Sequence, residues 1–271
     1  MAAMAEPAGE GPPWQSLPEP APMPRPDRSG HAPVNGIGIY YAIFNASRGD
    51  PVLLLHGGLG NADHWGNQVP ALMARRTVIV ADSRGHGRST RGRELISYRQ
   101  MASDVVALLT HLAIDTVAIA GWSDGGIVGL EIAISYPQRL SGLWAEGANS
   151  NPGALKDPHG IPTLRAMAKR ASDEYAGLSP TPEAFPEFKR EIVAMWSSQP
   201  DFEPEALASI AVPTAIVAGE HDELVKRENT EDIARLIPGA RLVILPGVSH
   251  FGLWQDPAGY NAALLSFLDG T

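Results

Sequence analysis

The sequence predicts an α/β protein: a doubly wound, mostly parallel eight-stranded sheet with a small helical lid inserted after the sixth strand. Three observations predict it. From residue 34 onward, near-continuous apolar runs alternate with helical patterns. A Gly-x-Ser-x-Gly string sits at a strand-to-helix junction, and the alternation breaks once, between about residues 149 and 207. Uninterrupted apolar strands belong to parallel sheets covered on both faces, and a strand-helix-strand period requires right-handed crossovers.

Nine of the chain's 24 prolines fall in the first 33 residues, with few large apolar side chains, so residues 1–33 read as a disordered Pro-rich leader. Residues 35–45 read as paired strands or a short hairpin that opens the fold. Apolar runs at 51–55, 77–81, 116–120, 140–145, 213–218 and 241–245 supply the remaining strands. Helical patterns lie near 66–75, 96–112, 126–136, 227–236 and 257–269. Within the long break, Leu164, Met167, Ala171, Tyr175 and Leu178 recur at helical spacing, as do Phe185, Phe188, Ile192, Met195 and Trp196. Residues 34–148 and 207–271 are therefore expected to form the core, and 149–206 a cap over the C-terminal strand ends, where open α/β sheets bind ligands.

At 271 residues the chain can bury a full core. Its net charge of −9 and pI near 5.3 argue against nucleic acid or an anionic membrane surface as partner. No apolar run of about 18 residues exists to span a bilayer. The absence of Cys removes disulfides, thiolate catalysis and zinc-thiolate sites together. No basic segment precedes an apolar stretch of secretory type, so the chain reads as cytoplasmic as given, or exported if a leader has been removed. A monomer or homodimer with a small-molecule substrate is expected.

Gly121-Trp122-Ser123-Asp124-Gly125 follows the strand at 116–120 and opens the helix at 126–136, which places Ser123 on a sharp turn that only small neighbours permit. An activated serine needs a base, and the base an orienting acid. Asp222 follows the strand at 213–218 and His250 the strand at 241–245, so parallel strands bring Ser123, Asp222 and His250 to one sheet edge. His56-Gly57-Gly58-Leu59-Gly60 follows the strand at 51–55. Backbone N–H groups of Gly58 and Asp124 are the candidates to hold an oxyanion, the latter at a helix N-terminus. His56, His86 and Asp82 read as structural hydrogen-bonding groups. His64, His111 and His159 show no metal-ligand spacing, so no metal is expected.

His56-Gly57-Gly58, the run Asp82–Ser89 (DSRGHGRS), the Ser123 elbow, Gly219-Glu220-His221-Asp222 and Ser249-His250-Phe251, in that order, resemble the α/β-hydrolase fold superfamily over residues 34–271. Within it the chain is similar to the cofactor-free esterase, perhydrolase and proline iminopeptidase-like group. The resemblance implies a serine hydrolase acting on a small or medium ester or lactone without a cofactor. The Ser123 elbow is also similar to that of valacyclovir hydrolase, an amino acid ester hydrolase. That similarity implies an alternative in which Asp124 or Glu146 binds a substrate amine, as in an amino acid ester hydrolase or aminopeptidase. Glu146 is also an alternative triad acid, because some members take the acid from that strand. Perhydrolase chemistry and a non-catalytic small-ligand receptor are further readings. Leu59, Trp122, Glu146 and Phe251 beside the triad, with Leu155, Met167, Phe188, Ile192 and Trp196 from the cap, are the pocket candidates. Trp65, Trp144 and Trp254 are read as pocket aromatics or as packing.

Overall fold

The computed structural model describes residues 11–46 and 49–270. Its strands are β1 (Arg28–Val34), β2 (Ile37–Phe44), β3 (Val52–Leu55), β4 (Val78–Ala81), β5 (Val117–Trp122), β6 (Leu140–Glu146), β7 (Thr214–Gly219) and β8 (Arg241–Leu245). The α-helices are α1 (Val69–Met73), α2 (Tyr98–His111), α3 (Asp124–Ser135), α4 (Pro162–Leu178), α5 (Phe185–Trp196), α6 (Pro204–Ala208), α7 (Arg227–Leu236), α8 (Gly252–Gln255) and α9 (Pro257–Leu268). One eight-stranded sheet runs in the order β1-β2-β4-β3-β5-β6-β7-β8. Only β2 opposes the common strand direction, pairing antiparallel with both β1 and β4. The sheet opens on a two-residue turn at Asn35-Gly36, with φ of +47° and +76°. Asn-Gly suits such a turn because both positions need left-handed backbone.

Alternation along the central strands builds two cores. Leu53 and Leu55 of β3 pack with Val105 and Leu108 of α2, Leu130 of α3 and Ile233 of α7. Val52 and Leu54 face the other way, onto Val69 and Leu72 of α1 and Leu264 and Phe267 of α9. Each such buried side chain contributes about 1.5–3 kcal/mol relative to exposure, which is why these strands read as unbroken apolar runs.

Between β6 and β7 the chain leaves the sheet and forms α4 and α5. Glu174 of α4 accepts from His64 Nε2 at 2.8 Å and from Asn61 Nδ2 at 2.7 Å. Arg91 meets Glu187 and Glu191 of α5. Both helices are thereby tied to loops at the C-terminal edge of the sheet.

The N-terminal expectation is corrected where the structure describes it. Residues 28–33 belong to β1, and 12–27 lie along the folded surface, with Leu17 and Met23 packed against the second core. Proline removes backbone donors but not acceptors. The Leu17 and Pro18 carbonyls accept from Arg170, and the Ser16 carbonyl accepts from Gln255. Residues 1–10 of the expected leader lie outside the described residues.

Candidate active site

Ser123, directly after β5, has φ of +54° and ψ of −119°, a conformation that L residues avoid and that costs about 1–3 kcal/mol. Its surroundings hold it there. A Cβ on Gly121 would stand 2.2 Å from the Gly125 carbonyl oxygen, and one on Gly125 would stand 2.1 Å from that of Leu55. The Ser123 N–H donates to Glu146 O at 2.7 Å, while Ser123 O accepts from Gly126 and Ile127 and so starts α3 two residues before the periodicity predicts. The Asp124 N–H consequently lies in the first helical turn, among amides with no intrahelical acceptor.

The loops after β7 and β8 meet beside this elbow. His250 Nδ1 lies 2.9 Å from Asp222 Oδ2, and Asp222 Oδ1 accepts from the N–H groups of Leu224 and Val225, each at 2.8 Å. Burial works to raise the Asp222 pKa, but the facing imidazole and these amides outweigh it and hold the carboxyl below its ordinary value. For His250 burial works downward, and the Asp222 carboxylate, with Glu223 and Glu146 behind it, raises the imidazole above its ordinary value. The arrangement makes His250 a stronger base with its Nδ1 position committed to Asp222.

Two residues not foreseen from sequence shape this pair. Gly147, just past β6, has φ of +59°, and a Cβ there would stand 2.6 Å from His250 Cε1 and 2.9 Å from Nδ1. Only glycine lets that backbone pass so close to the imidazole. Glu223 brackets the loop of His250: Oε2 accepts from the His250 N–H at 2.9 Å, and Oε1 accepts from Ser249 Oγ at 3.2 Å and Thr163 Oγ1 at 2.7 Å. Thr163 belongs to α4, so the loop of His250 is linked to that helix. A Gly directly after a buried strand was the one available signal for Gly147; nothing local marked Glu223.

His56 Nε2 accepts from the Ser83 N–H at 3.0 Å, so its Nδ1–H donates to Gly57 O at 2.7 Å. Burial, with His86 nearby, drives the His56 pKa well below its ordinary value, so the ring is neutral and joins two loops. Asp82 accepts from the N–H groups of Ala62 and Arg88 and fixes the adjoining turn. Gly58 is tightly enclosed: a Cβ would stand 2.4 Å from Trp196 Cζ2 and 2.5 Å from Asp124 Oδ2.

The Asp124 carboxylate is engaged from both sides, by Tyr98 Oη at 2.8 Å and by Trp196 Nε1 at 2.9 Å and 3.0 Å. Burial pushes its pKa up to about 6 against these donors and His250. Glu146 is 1% exposed, beside the Tyr260 hydroxyl, and burial raises its pKa to about 8.

A cavity of about 320 Å³ opens over Ser123, Asp124 and His250. Of the pocket candidates, Leu59, Trp122, Leu155, Met167, Trp196 and Phe251 line it, together with Gly58 and Gly147. Three placements are corrected. Glu146 lies outside the wall, buried beside Tyr260. Phe188 and Ile192 are fully buried in the first core, Phe188 stacking on Tyr175 and edge-on to His86. The α5 stripe that carries them faces inward, and of its residues Trp196 at the helix end reaches the cavity, joined there by Lys189 of the same helix. Trp65, Trp144 and Trp254 pack in the second core. Among the described residues, no cluster of three or more His, Asp or Glu side chains is arranged to hold a metal ion.

Residues 50–170 match the family model described as the alpha/beta hydrolase fold. The RutD protein of Pseudomonas savastanoi pv. phaseolicola, a provisional carbamate hydrolase by name, is 30% identical over 85% of this chain and 99% of its own. The pimeloyl-acyl-carrier-protein methyl ester esterase of Edwardsiella ictaluri is 29% identical over 81% of this chain and 93% of its own. A solved structure of an N-acyl homoserine lactone degrading enzyme superposes with a TM-score of 0.68 at 28% identity, covering 89% of this chain and all of that one. The chain belongs to the α/β-hydrolase fold family and is a hydrolase.

Proposed function

We propose that the protein is a serine hydrolase that cleaves a small or medium carboxylic ester or lactone through an acyl-enzyme. The observation that carries this reading is the His250–Asp222 contact of 2.9 Å at the same cavity onto which the strained Ser123 opens. His250 Nε2 takes the Ser123 hydroxyl proton as Oγ attacks the carbonyl carbon. Asp222 holds the tautomer with the Nδ1 proton and stabilises the imidazolium. The N–H groups of Gly58 and Asp124 receive the oxyanion. The imidazolium then gives its proton to the leaving alkoxide, and water activated by His250 hydrolyses the acyl-enzyme. No step calls for a cofactor.

The mostly aliphatic and aromatic wall supports an apolar acyl group or lactone ring as the bound part. The amine-binding alternative loses support from the side-chain contacts: Tyr98 and Trp196 already occupy Asp124, and Glu146 does not reach the cavity. The test is a fluorophosphonate probe with the adduct located by peptide mass spectrometry, beside turnover of a p-nitrophenyl ester, its amino ester counterpart, a lactone and a carbamate. The reading expects a label on Ser123 and faster cleavage of the plain ester or lactone. A folded protein with neither label nor turnover refutes it and favours a non-catalytic receptor.

A further inference from the structure

Gly66 has an ordinary helical backbone, with φ of −57° and ψ of −28°, so nothing in its own conformation calls for glycine. What calls for it is the N-terminal segment. A Cβ on Gly66 would stand 1.7 Å from the carbonyl oxygen of Ala21, whose N–H donates to Asn67 Oδ1 at 3.2 Å. The folded surface is therefore shaped to receive residues 12–27.

From that seat the segment reaches both triad loops and the cap. The Trp14 indole stacks on the His221 imidazole, with centroids 4.0 Å apart and planes at 27°, and His221 directly precedes Asp222. The His221 N–H in turn donates to Val248 O at 2.9 Å, joining the acid loop to the base loop. Ser16 O accepts from Gln255 Nε2 at 2.8 Å, and Gln255 Oε1 accepts from the Ser249 N–H at 2.7 Å, one residue before His250. Arg170 of α4, its side chain 8% exposed, donates to Leu17 O and Pro18 O and pairs with Glu19. Its guanidinium lies 5.1 Å from the Trp254 ring centroid.

We propose that residues 12–27 form a strap that positions the loops carrying Asp222 and His250, through the Trp14–His221 stack and the Ser16–Gln255–Ser249 hydrogen bonds, while Arg170 anchors it to the cap. Trp14, Ser16 and Gln255 are positioning residues, since none of them lines the cavity. The catalytic consequence rests on the serine hydrolase reading; the mechanical coupling of strap to loops does not.

Gly66→Ala tests it, because the three atoms nearest the added methyl group all belong to Ala21 of the strap. Amide hydrogen exchange on the full chain is expected to quicken over 12–27 and, in consequence, over 220–225 and 247–255. With a p-nitrophenyl ester, kcat is expected to fall about ten- to a hundredfold with KM little changed, the pattern of misplaced catalytic groups. Trp14→Ala perturbs the strap from the surface and provides the second variant should Gly66→Ala fold poorly. It is expected to lower kcat in the same way, and Trp14→Phe to restore most of it. Unchanged exchange over 12–27 in Gly66→Ala overturns the seating. Faster exchange confined to 12–27, with loops and kcat like wild type, overturns the positioning role. If Ser123 of the wild type takes no fluorophosphonate label, the catalytic reading falls, and the exchange data still decide whether strap and loops are coupled.

Discussion

Gly147→Ala places the sharpest demand on the geometry around His250. The new Cβ would stand 2.6 Å from His250 Cε1, roughly 0.8 Å inside ordinary van der Waals contact. The backbone there has φ of +59°, which adds about 1–2 kcal/mol for any L side chain. Relieving the overlap costs a further 1–3 kcal/mol or so if the structure strains in place. The imidazole is the neighbour able to move, but a shift approaching 1 Å breaks its 2.9 Å contact with Asp222, and on the serine hydrolase reading a displacement of that size costs about a hundredfold in rate. The expected outcome is a fall of about two orders of magnitude in kcat/KM for a p-nitrophenyl ester. Slower fluorophosphonate labelling should accompany it, with a melting temperature lowered by roughly 5–10 °C. Steady-state kinetics, labelling rate and calorimetry on one preparation supply all three. A Gly147→Ala protein with wild-type kcat/KM would refute the claim that close approach at this position sets the imidazole.

Ser123→Ala and His250→Ala should each abolish most ester turnover while remaining folded by circular dichroism, whereas His56→Ala should chiefly lower the melting temperature, because it removes the bridge between Gly57 and Ser83. The raised His250 pKa places the acid limb of kcat/KM above the ordinary histidine value, and Asp222→Asn should move that limb to lower pH as the rate falls. In stability, Asp222 is a depressed carboxyl, so its contribution is present above its unfolded pKa and is lost as pH falls through the folded value. Glu146 runs the other way. With its folded pKa raised to about 8, the unfolded chain binds fewer protons from about pH 4.5 to 8, and stability declines across that window. Glu146→Gln should therefore melt above wild type at pH 8 by a margin that vanishes near pH 4.5, with ester turnover retained; equal melting at both pH values would count against a neutral buried carboxyl. Trp196→Phe removes the indole donor from Asp124, a hydrogen bond to a charged group of about 1.5–3 kcal/mol, and should raise KM more than it lowers kcat.

Much of the sheet is legible in the linear pattern because its causes are local. Val52–Leu55, Val78–Ala81 and Val117–Trp122 are apolar at every position since both faces are covered, and α7 begins and ends where its periodicity places it. The loops of Ser123, Asp222 and His250 are legible for a topological reason: residues that follow parallel strands share one edge. Sequence misled where a residue's role depends on a distant partner. Proline content suggested a disordered leader, but 12–27 are held by partners that include Arg170 and Gln255, each more than 150 positions from the carbonyls they reach. Phe188, Ile192 and Trp196 share a helix whose stripe is visible in sequence, but periodicity does not say whether that stripe faces a core or a cavity.

The sequence by itself determined the α/β architecture, the strained serine elbow and the strand ends that Asp222 and His250 follow, because backbone sterics and burial on both sheet faces act on neighbouring residues. The tertiary structure alone decided which side chains wall the cavity, that Tyr98 and Trp196 occupy Asp124, that Glu146 is turned away, and that Gly147 and Gly66 must lack side chains. Those outcomes are set by close approach between segments far apart in the chain, and a residue carries no mark of what will be pressed against it until the chain has folded.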